Sequence, residues 1–351
     1  MSRNFRSDNV AGVHPAIIRA IEAANGGPAM PYGNDAITKR LEKRFAEMFE
    51  TELAVFPVAT GTAANALSLA AMTPPWGAIY CHADSHVLMD ECNAPEFYAS
   101  GARLAPLPGE HGKLAPKTLE AALKSAPPGV HHAQPAAVTI SQLSEAGTAY
   151  APDHVAALAK LAHARGLGLH MDGARFANAL VGFGCSPADI TWRAGVDILS
   201  FGATKNGALA AEAIVVFRKD LVETLGFRRK RAGHLFSKMR FLSAQIEAYL
   251  TGDLWLKNAR HANAQAQRIA EGLGAAPGVR IAHPVDGNEV FAEMPAAMAK
   301  ALEEAGFALE PWAGDPDFDP KRPLMRLVAA FDTDPKSVDA LIAAARKQKA
   351  A

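Results

Sequence analysis

The sequence predicts an α/β fold: a large domain organised around a mostly parallel sheet, followed by a smaller C-terminal α+β domain. Three observations carry this. Between about residues 136 and 217, short apolar runs alternate with amphipathic stretches, the pattern of βαβ units that feed a parallel sheet. After about residue 235 the alternation gives way to a long helical stretch and a few separate strand-like runs. The length, 351 residues, suits one large domain of about 200–250 residues plus a smaller one. The boundary is expected between residues 240 and 241, with 1–240 forming the N-terminal segment and large domain and 241–351 the small one.

The elements follow in order. Residues 53–83 carry no Lys, Arg, Asp or Glu. A membrane span needs ~20 continuous apolar residues, and Pro57, Gly61, Pro74, Pro75 and Gly77 interrupt this stretch. It is therefore assigned to the buried centre of the large domain. Within it, "FPVATGTAANALSLAAM" (56–72) passes from an apolar run through Gly61 and Thr62 into a helix expected at about Ala63–Met72. "AAVTI" (136–140), "GLGLHM" (166–171), "VDILSF" (196–201) and "AIVVF" (213–217) read as buried strands, being short, apolar and bounded by polar or glycine residues. "APDHVAALAKLAHARG" (151–166) reads as a helix capped by Asp153 and stopped by Gly166. A helical stretch from about Leu235 to Ala270 leads into "GVRIAHP", "NEVFAEMP", a helix near 296–305, "PLMRLVAAF" and a terminal helix. Asp315 to Pro323, rich in proline and aspartate, is expected to be an exposed loop.

Composition excludes several classes. Lys plus Arg (36) balances Asp plus Glu (36), so the chain lacks the basic excess of a nucleic-acid-binding surface. Cys81, Cys92 and Cys185 are scattered and odd in number, with no CxxC; neither a disulfide framework nor a thiolate zinc site is indicated. The N-terminal "MSRNFRSDNV" has no apolar signal region, and the cytoplasm is the expected compartment.

In open parallel sheets ligands sit at the carboxyl ends of the strands. Two such ends stand out. "GLHMDGAR" places Asp172 directly after one apolar strand, with Arg175 close behind, and "DILSFGATKNG" places Thr204 and Lys205 directly after another. A charge at the end of a buried strand is costly unless paired. One reading is a structural ion pair. The other is a pyridoxal phosphate (PLP) site, where the lysine amine forms a Schiff base with the cofactor aldehyde and the carboxylate keeps the pyridine nitrogen protonated. Gly61 and Thr62 at the start of a helix suit a phosphate, and Thr204 can add a hydroxyl. "CHADSHVLMDECNAPEF" (81–97) contains His82, His86, Asp90 and Glu91; an imidazole there can stack on a ring and act as a base. Cys81, His82 and His86 match no standard zinc spacing, so no metal is expected.

Taken together, "RSDNVAGVHP", "YGND", "GTAAN", "SHVLMDECNAPEF", "LHMDGARFANA", "DILSFGATKNG" and "SKMRFLSAQ", with a weaker "LMRLV", resemble the low-specificity L-threonine aldolase family of fold-type-I PLP enzymes, which includes phenylserine aldolase relatives. The likeness runs in the family's order over nearly the whole chain. It implies an aspartate-aminotransferase-like large domain and retro-aldol cleavage of a β-hydroxy-α-amino acid to glycine and an aldehyde. It also implies roles. Lys205 carries PLP, Asp172 pairs with the pyridine nitrogen, and His86 stacks on the ring and moves the β-hydroxyl proton, with Glu91 nearby. His131 approaches the β-hydroxyl. Ser7, Arg175 and Arg326 grip the substrate carboxylate, and Gly61, Thr62 and Thr204 hold the phosphate. Family members are homodimers or homotetramers with active sites at the subunit interface, where Lys238 would reach the neighbouring subunit's phosphate. The chain departs from the family pattern at Asn34, where aspartate is common, and at Ala203 and Ala211, where glycine is common. A β-eliminating lyase and an aminotransferase, which share the strand-end Asp and Lys, are competing readings; a non-catalytic PLP-binding protein is a third, against which the retention of Lys205, Asp172, His86 and both arginines argues.

Overall fold

The structure is a computed structural model that describes residues 3–312 and 319–348. Its centre is a seven-stranded sheet of β1 (Ala54–Val58), β2 (Gly77–His82), β3 (Arg103–Leu107), β4 (Gln134–Ser141), β5 (Gly168–Gly173), β6 (Ile198–Phe201) and β7 (Glu212–Val216), in the spatial order β1-β7-β6-β5-β4-β2-β3. The run β6-β5-β4-β2-β3 is parallel throughout. Strand β7 runs against both its neighbours, so β1 points the same way as the parallel set.

The four expected central strands are β4 to β7. Their near-continuous apolar character follows from burial on both faces. Successive residues feed different clusters: Ile214 and Val216 of β7 pack with Ala64 and Leu67, whereas Ala213 and Val215 pack with Phe45, Leu169 and Phe201. The charge-free stretch is as central as expected. Helix Gly61–Met72 is buried from Ala63 to Ala70, and every residue of β2 is buried.

Around this sheet lie α1 (Pro15–Ala24), α2 (Ala36–Phe49), α3 (Gly61–Met72), α4 (His86–Met89), α5 (Ala94–Tyr98), α6 (Pro116–Ser125), α7 (Pro152–His163), α8 (Phe176–Phe183), α9 (Val222–Arg231), α10 (Arg240–Leu250) and α11 (Leu254–Gly274). Helix α7 is the one expected at 151–166, but its N-cap is Ala151, and Asp153 lies within the first turn, with no side-chain cap bond made at the start. Pro152 at the first helical position, with its φ preset, makes the start there. Gly166, at φ +73, carries the left-handed turn that ends the segment. The helical stretch after Leu235 is two helices, broken at Thr251–Asp253 where Gly252 takes φ +60.

A second, antiparallel sheet has the order β10-β11-β9-β8, formed by β8 (Arg280–Ile281), β9 (Glu289–Glu293), β10 (Glu310–Pro311) and β11 (Leu324–Val328), with α12 (Ala296–Glu304) and α13 (Pro335–Arg346) beside it. Phe5 belongs to this second core, and Asn4 and Phe5 pair with Ala308. Helix α10 packs on α1 and α2. Most of the loop expected at 315–323 lies outside the described residues; Asp319 to Pro323 forms a turn leading into β11. No helix among the described residues is long and apolar enough to cross a membrane.

Candidate active site

Strand direction brings the chemistry to one edge of the large sheet. Gly61 and Thr62 follow the carboxyl end of β1, His86 and Glu91 follow β2, and Leu143 and Glu145 follow β4. Asp172 is the last residue but one of β5, Lys205 follows β6, and Glu212 opens the antiparallel β7. All of these line one cavity of about 330 Å³. The free N–H groups of the first turn of α3 face this edge, since helix geometry leaves them without intrahelical partners; Thr60 caps the helix by accepting from the Ala63 N–H at 3.1 Å.

Two glycines bring the strand ends together. A Cβ on Gly202 would lie 2.5 Å from the Ala174 carbonyl oxygen, and one on Gly173 would lie 2.7 Å from that of Ser200. The turn from β6 to Lys205 therefore crosses the end of β5 at backbone contact.

A buried hydrogen-bonded chain forms one wall. The Asn65 amide donates to Glu91 Oε1 and to Asp172 Oδ2, both at 2.8 Å. Glu91 Oε1 lies 2.9 Å from His86 Nδ1. A carboxylate only accepts, so Nδ1 carries the hydrogen and Nε2 is left for the cavity. Asp172 Oδ1 accepts from the Ala174 N–H at 2.9 Å. The bond to Glu91 raises the His86 pKa against the opposing effect of burial, and burial raises the Glu91 carboxyl, with Asp172 adding to it. Beneath Asp172, His170 is fully buried between Thr139 Oγ1 (2.8 Å) and Ser200 Oγ (2.9 Å), and burial pushes its pKa down to about 4. It is a neutral support.

A second cluster, around the lining residue Arg175, is ionic. Arg175 lines the cavity, but its Nε and Nη2 bind Asp8 Oδ2 and Oδ1 at 2.8 and 3.0 Å, and Nη1 lies 3.3 Å from Glu289 Oε2. Burial pushes the Asp8 carboxyl up, but Arg175 and Lys205 pull it below the ordinary range. Glu289, more weakly paired, is pushed up to about 7 by burial. Glu212 is equally buried and pushed up to about 7; its Oε2 accepts from the Ala203 N–H at 2.7 Å, and Thr204 and Lys205 oppose the rise.

Of the expected site residues, Lys205, Asp172, His86, Glu91, Gly61, Thr62, Thr204 and Arg175 meet in this cavity. Four do not. Ser7 caps the short turn Asp8–Val10 by accepting from the Asn9 N–H, which leaves its neighbour Asp8 as the buried group. Arg326 sits on β11, with its guanidinium over Trp312 and Nη2 on the Arg6 carbonyl at 3.3 Å. His131 is exposed on the loop before β4, at the opposite edge of the sheet, because the loop entering a parallel strand lies at its amino end. Lys238 is exposed on the segment leading into α10. Neither His131 nor Lys238 reaches this chain's cavity, so a role for either requires a second copy. Sequence reasoning missed Asn65, Asp8, Glu145, Glu212 and Glu289. Glu212 alone left a signal, as a carboxylate inside the apolar run "ALAAEAIVVF". The three cysteines are free, and no group of three or more His, Cys, Asp or Glu among the described residues is placed to hold a metal.

Comparison with known proteins shows the family. Residues 4–297 match the family model described as beta-eliminating lyase. A low specificity L-threonine aldolase from Pseudomonas aeruginosa is 41% identical over 334 residues, covering 95% of this chain and 94% of that protein. One from another Pseudomonas species is 40% identical over 343 residues, covering 97% and 96%. A Leishmania major threonine aldolase structure superposes with a TM-score of 0.91 at 26% identity, covering 98% of each chain. A Sphingomonas wittichii serine palmitoyltransferase, at 16% identity and a TM-score of 0.71 over 98% of this chain and 86% of its own, shares the fold. The chain belongs to the beta-eliminating lyase family and, within it, to the low-specificity L-threonine aldolases.

Proposed function

We propose that this protein is a PLP-dependent aldolase that cleaves L-threonine, L-allo-threonine and related β-hydroxy-α-amino acids, L-phenylserine among the candidates, to glycine and an aldehyde. The observation that carries the reading is the meeting of Lys205, Asp172 and His86 in one cavity, at the ends of β6, β5 and β2. Several features support PLP as the group held there. The donor set combines an amine, an anchored carboxylate and a helix N-terminus, which match an aldehyde, a pyridine nitrogen and a phosphate. Asn65 and Glu91, whose Oδ1 and Oε2 are buried without a partner among the described residues, also line this cavity.

In this reading Lys205 supplies the amine that holds the cofactor aldehyde, Asp172 keeps a proton on the ring nitrogen, and Gly61, Thr62 and Thr204 bind the phosphate. Bound PLP supplies the sink for the electrons released at the substrate Cα. Arg175, held by Asp8 and Glu289, presents its remaining N–H donors to the substrate carboxylate, with Ser7 and Arg326 as further contributors. That grip decides which Cα bond is aligned for cleavage. His86 Nε2 takes the β-hydroxyl proton as the Cα–Cβ bond breaks and the aldehyde leaves, and a proton delivered to Cα then completes glycine. Glu91 stabilises the charge that the imidazole then carries. The same reading makes the enzyme cytoplasmic and a homodimer or homotetramer, with Lys238 and His131 acting across the subunit contact; the exposed side chains of Met30, Tyr32 and Leu209 support such a contact.

The test is aldehyde release from L-threonine, L-allo-threonine and L-phenylserine with added PLP. Aldehyde with equimolar glycine is expected, and the ranking of the three defines the substrate class. A PLP-loaded protein that turns over none of them, yet releases pyruvate from an amino acid with a β-leaving group or transfers its amino group to a keto acid, would overturn the aldolase reading.

A further inference from the structure

Two carboxylates that serve different ends of the proposed reaction are joined by one side chain. Asn65 lies on α3 and is 2% exposed. Both hydrogens of its amide are used, one on Glu91 Oε1 and one on Asp172 Oδ2. Helix stability does not call for this residue. The neighbours Ala63, Ala64 and Ala66 are buried alanines, the best helix formers, whereas asparagine is a poorer one. Its Oδ1 also has no partner among the described residues, a further cost of burial. What the amide does achieve is to place two carboxylates from different elements on one donor group.

We propose that Asn65 is a positioning residue, which couples Asp172 to the His86–Glu91 pair and thereby keeps His86 in the tautomer whose Nε2 can accept the substrate proton. The physical basis is the repulsion between two buried carboxylates that share one amide. Without that donor, one of them takes a proton. Glu91 is the one that yields, since it is buried and already raised, while Asp172 keeps a backbone donor from Ala174. A neutral Glu91 would donate its O–H to His86 Nδ1, move the imidazole hydrogen to Nε2 and block the base. The charged groups that face His86 are Glu91, Glu145 and Asp172, and those that face Glu91 are His86 and Asp172; Lys205, Arg175 and Glu212 line the rest of the cavity.

The inference rests on the aldolase reading for its kinetic consequence only, so the first measurement is made on the full chain without PLP. With ¹⁵N-labelled histidine, the wild-type His86 is expected to show the Nδ1–H tautomer. In Asn65→Ala it is expected to shift toward Nε2–H, and its titration midpoint to fall. Unchanged His86 signals would overturn the proposal. If Asn65→Ala does not fold, Asn65→Ser loses at least one of the two N–H donors and is held to the same outcome. In the PLP-loaded enzyme with L-threonine, Asn65→Ala and Glu91→Gln are each expected to lower kcat/KM by about 10²-fold, the range for a disabled acid–base group. The double variant is expected to match Glu91→Gln within about twofold, as for groups acting through one another. Multiplicative losses would show that Asn65 does not act through Glu91. A wild-type enzyme inactive on L-threonine but with the expected tautomer shift would strike the aldolase reading and leave the positioning role standing.

Discussion

Asp8 grips Arg175 along both edges of the guanidinium, Nε to Oδ2 at 2.8 Å and Nη2 to Oδ1 at 3.0 Å, across 167 residues of chain. Both side chains are almost wholly buried, at 2% and 7% exposure. Asn288, next to β9, also donates to Asp8 Oδ2 at 3.1 Å. The N-terminal segment thus ties the small sheet to the end of β5. The arginine to which the resemblance assigns the substrate carboxylate is thus already bound to two carboxylates of the chain.

Removing one partner of such a buried pair leaves the other charge stranded. Asp8→Ala is expected to destabilise the protein by about 3 kcal/mol, measured by denaturant unfolding. It should also raise KM for the amino-acid substrate more than it lowers kcat, because Arg175 loses its fixed orientation. A variant of unchanged stability and unchanged KM would contradict this account of the pair.

Glu212 makes stability depend on pH. Burial pushes its carboxyl up to about 7 in the folded chain, from an ordinary 4.5. Between these values the folded state binds more protons than the unfolded state, so the contribution of Glu212 falls as pH rises through that window. Glu212→Gln keeps an acceptor for the Ala203 N–H and has nothing to titrate. In the PLP-free protein, the stability of Glu212→Gln relative to wild type is expected to improve by about 3 kcal/mol between pH 4 and pH 8. A constant difference across that range would show that Glu212 does not titrate as described.

The bond to Glu91 holds the His86 pKa above its ordinary value, and a base works only when unprotonated. The acidic limb of kcat/KM against pH is therefore expected to move to lower pH in Glu91→Gln, together with the loss of rate. A limb that stays in place would mean that another group sets it.

Gly202 has no room for a side chain. A Cβ there would meet the Ala174 oxygen at 2.5 Å and the Gly173 oxygen at 2.7 Å, all backbone atoms. Gly202→Ala is expected to cost about 1–3 kcal/mol through forced separation of the strand ends and to weaken PLP binding, since Lys205 lies on the displaced turn. Thermal unfolding and PLP titration read the two effects, and wild-type values in both would contradict the close approach.

Lys205 is tested by covalent retention. Borohydride treatment of the PLP-loaded protein is expected to bleach its colour and leave the cofactor attached after denaturation. In Lys205→Ala no cofactor should survive denaturation. Retention in that variant would move the attachment to another lysine.

Much of this was legible in the residues. Strands β4 to β7 announce themselves as short apolar runs because they are buried on both faces, and the helix after Thr60 shows as a glycine–threonine turn before alanines and leucines. Lys205 and Asp172 stand out because a charge directly after an apolar strand is expensive and so marks a purpose. Other features left no such mark. Asn65 looks like one more residue of a helix start, and its two carboxylate partners lie 26 and 107 positions away. Asp8 and Glu289 are ordinary acidic residues in sequence; only folding places both against Arg175. His131 and Lys238, suggested by resemblance, lie away from this chain's cavity.

The division has a physical cause. Burial of a strand and the price of a lone strand-end charge are local properties, written in hydrophobicity and period, so the sequence by itself determined the α/β class, the main strands and the placing of Lys205 and Asp172 at strand ends. The direction of β7, the engagement of Arg175 by Asp8 and the joining of His86, Glu91, Asn65 and Asp172 depend on contacts between distant segments. Each comes from how strands pair and which edges they share, and only the tertiary structure decided them.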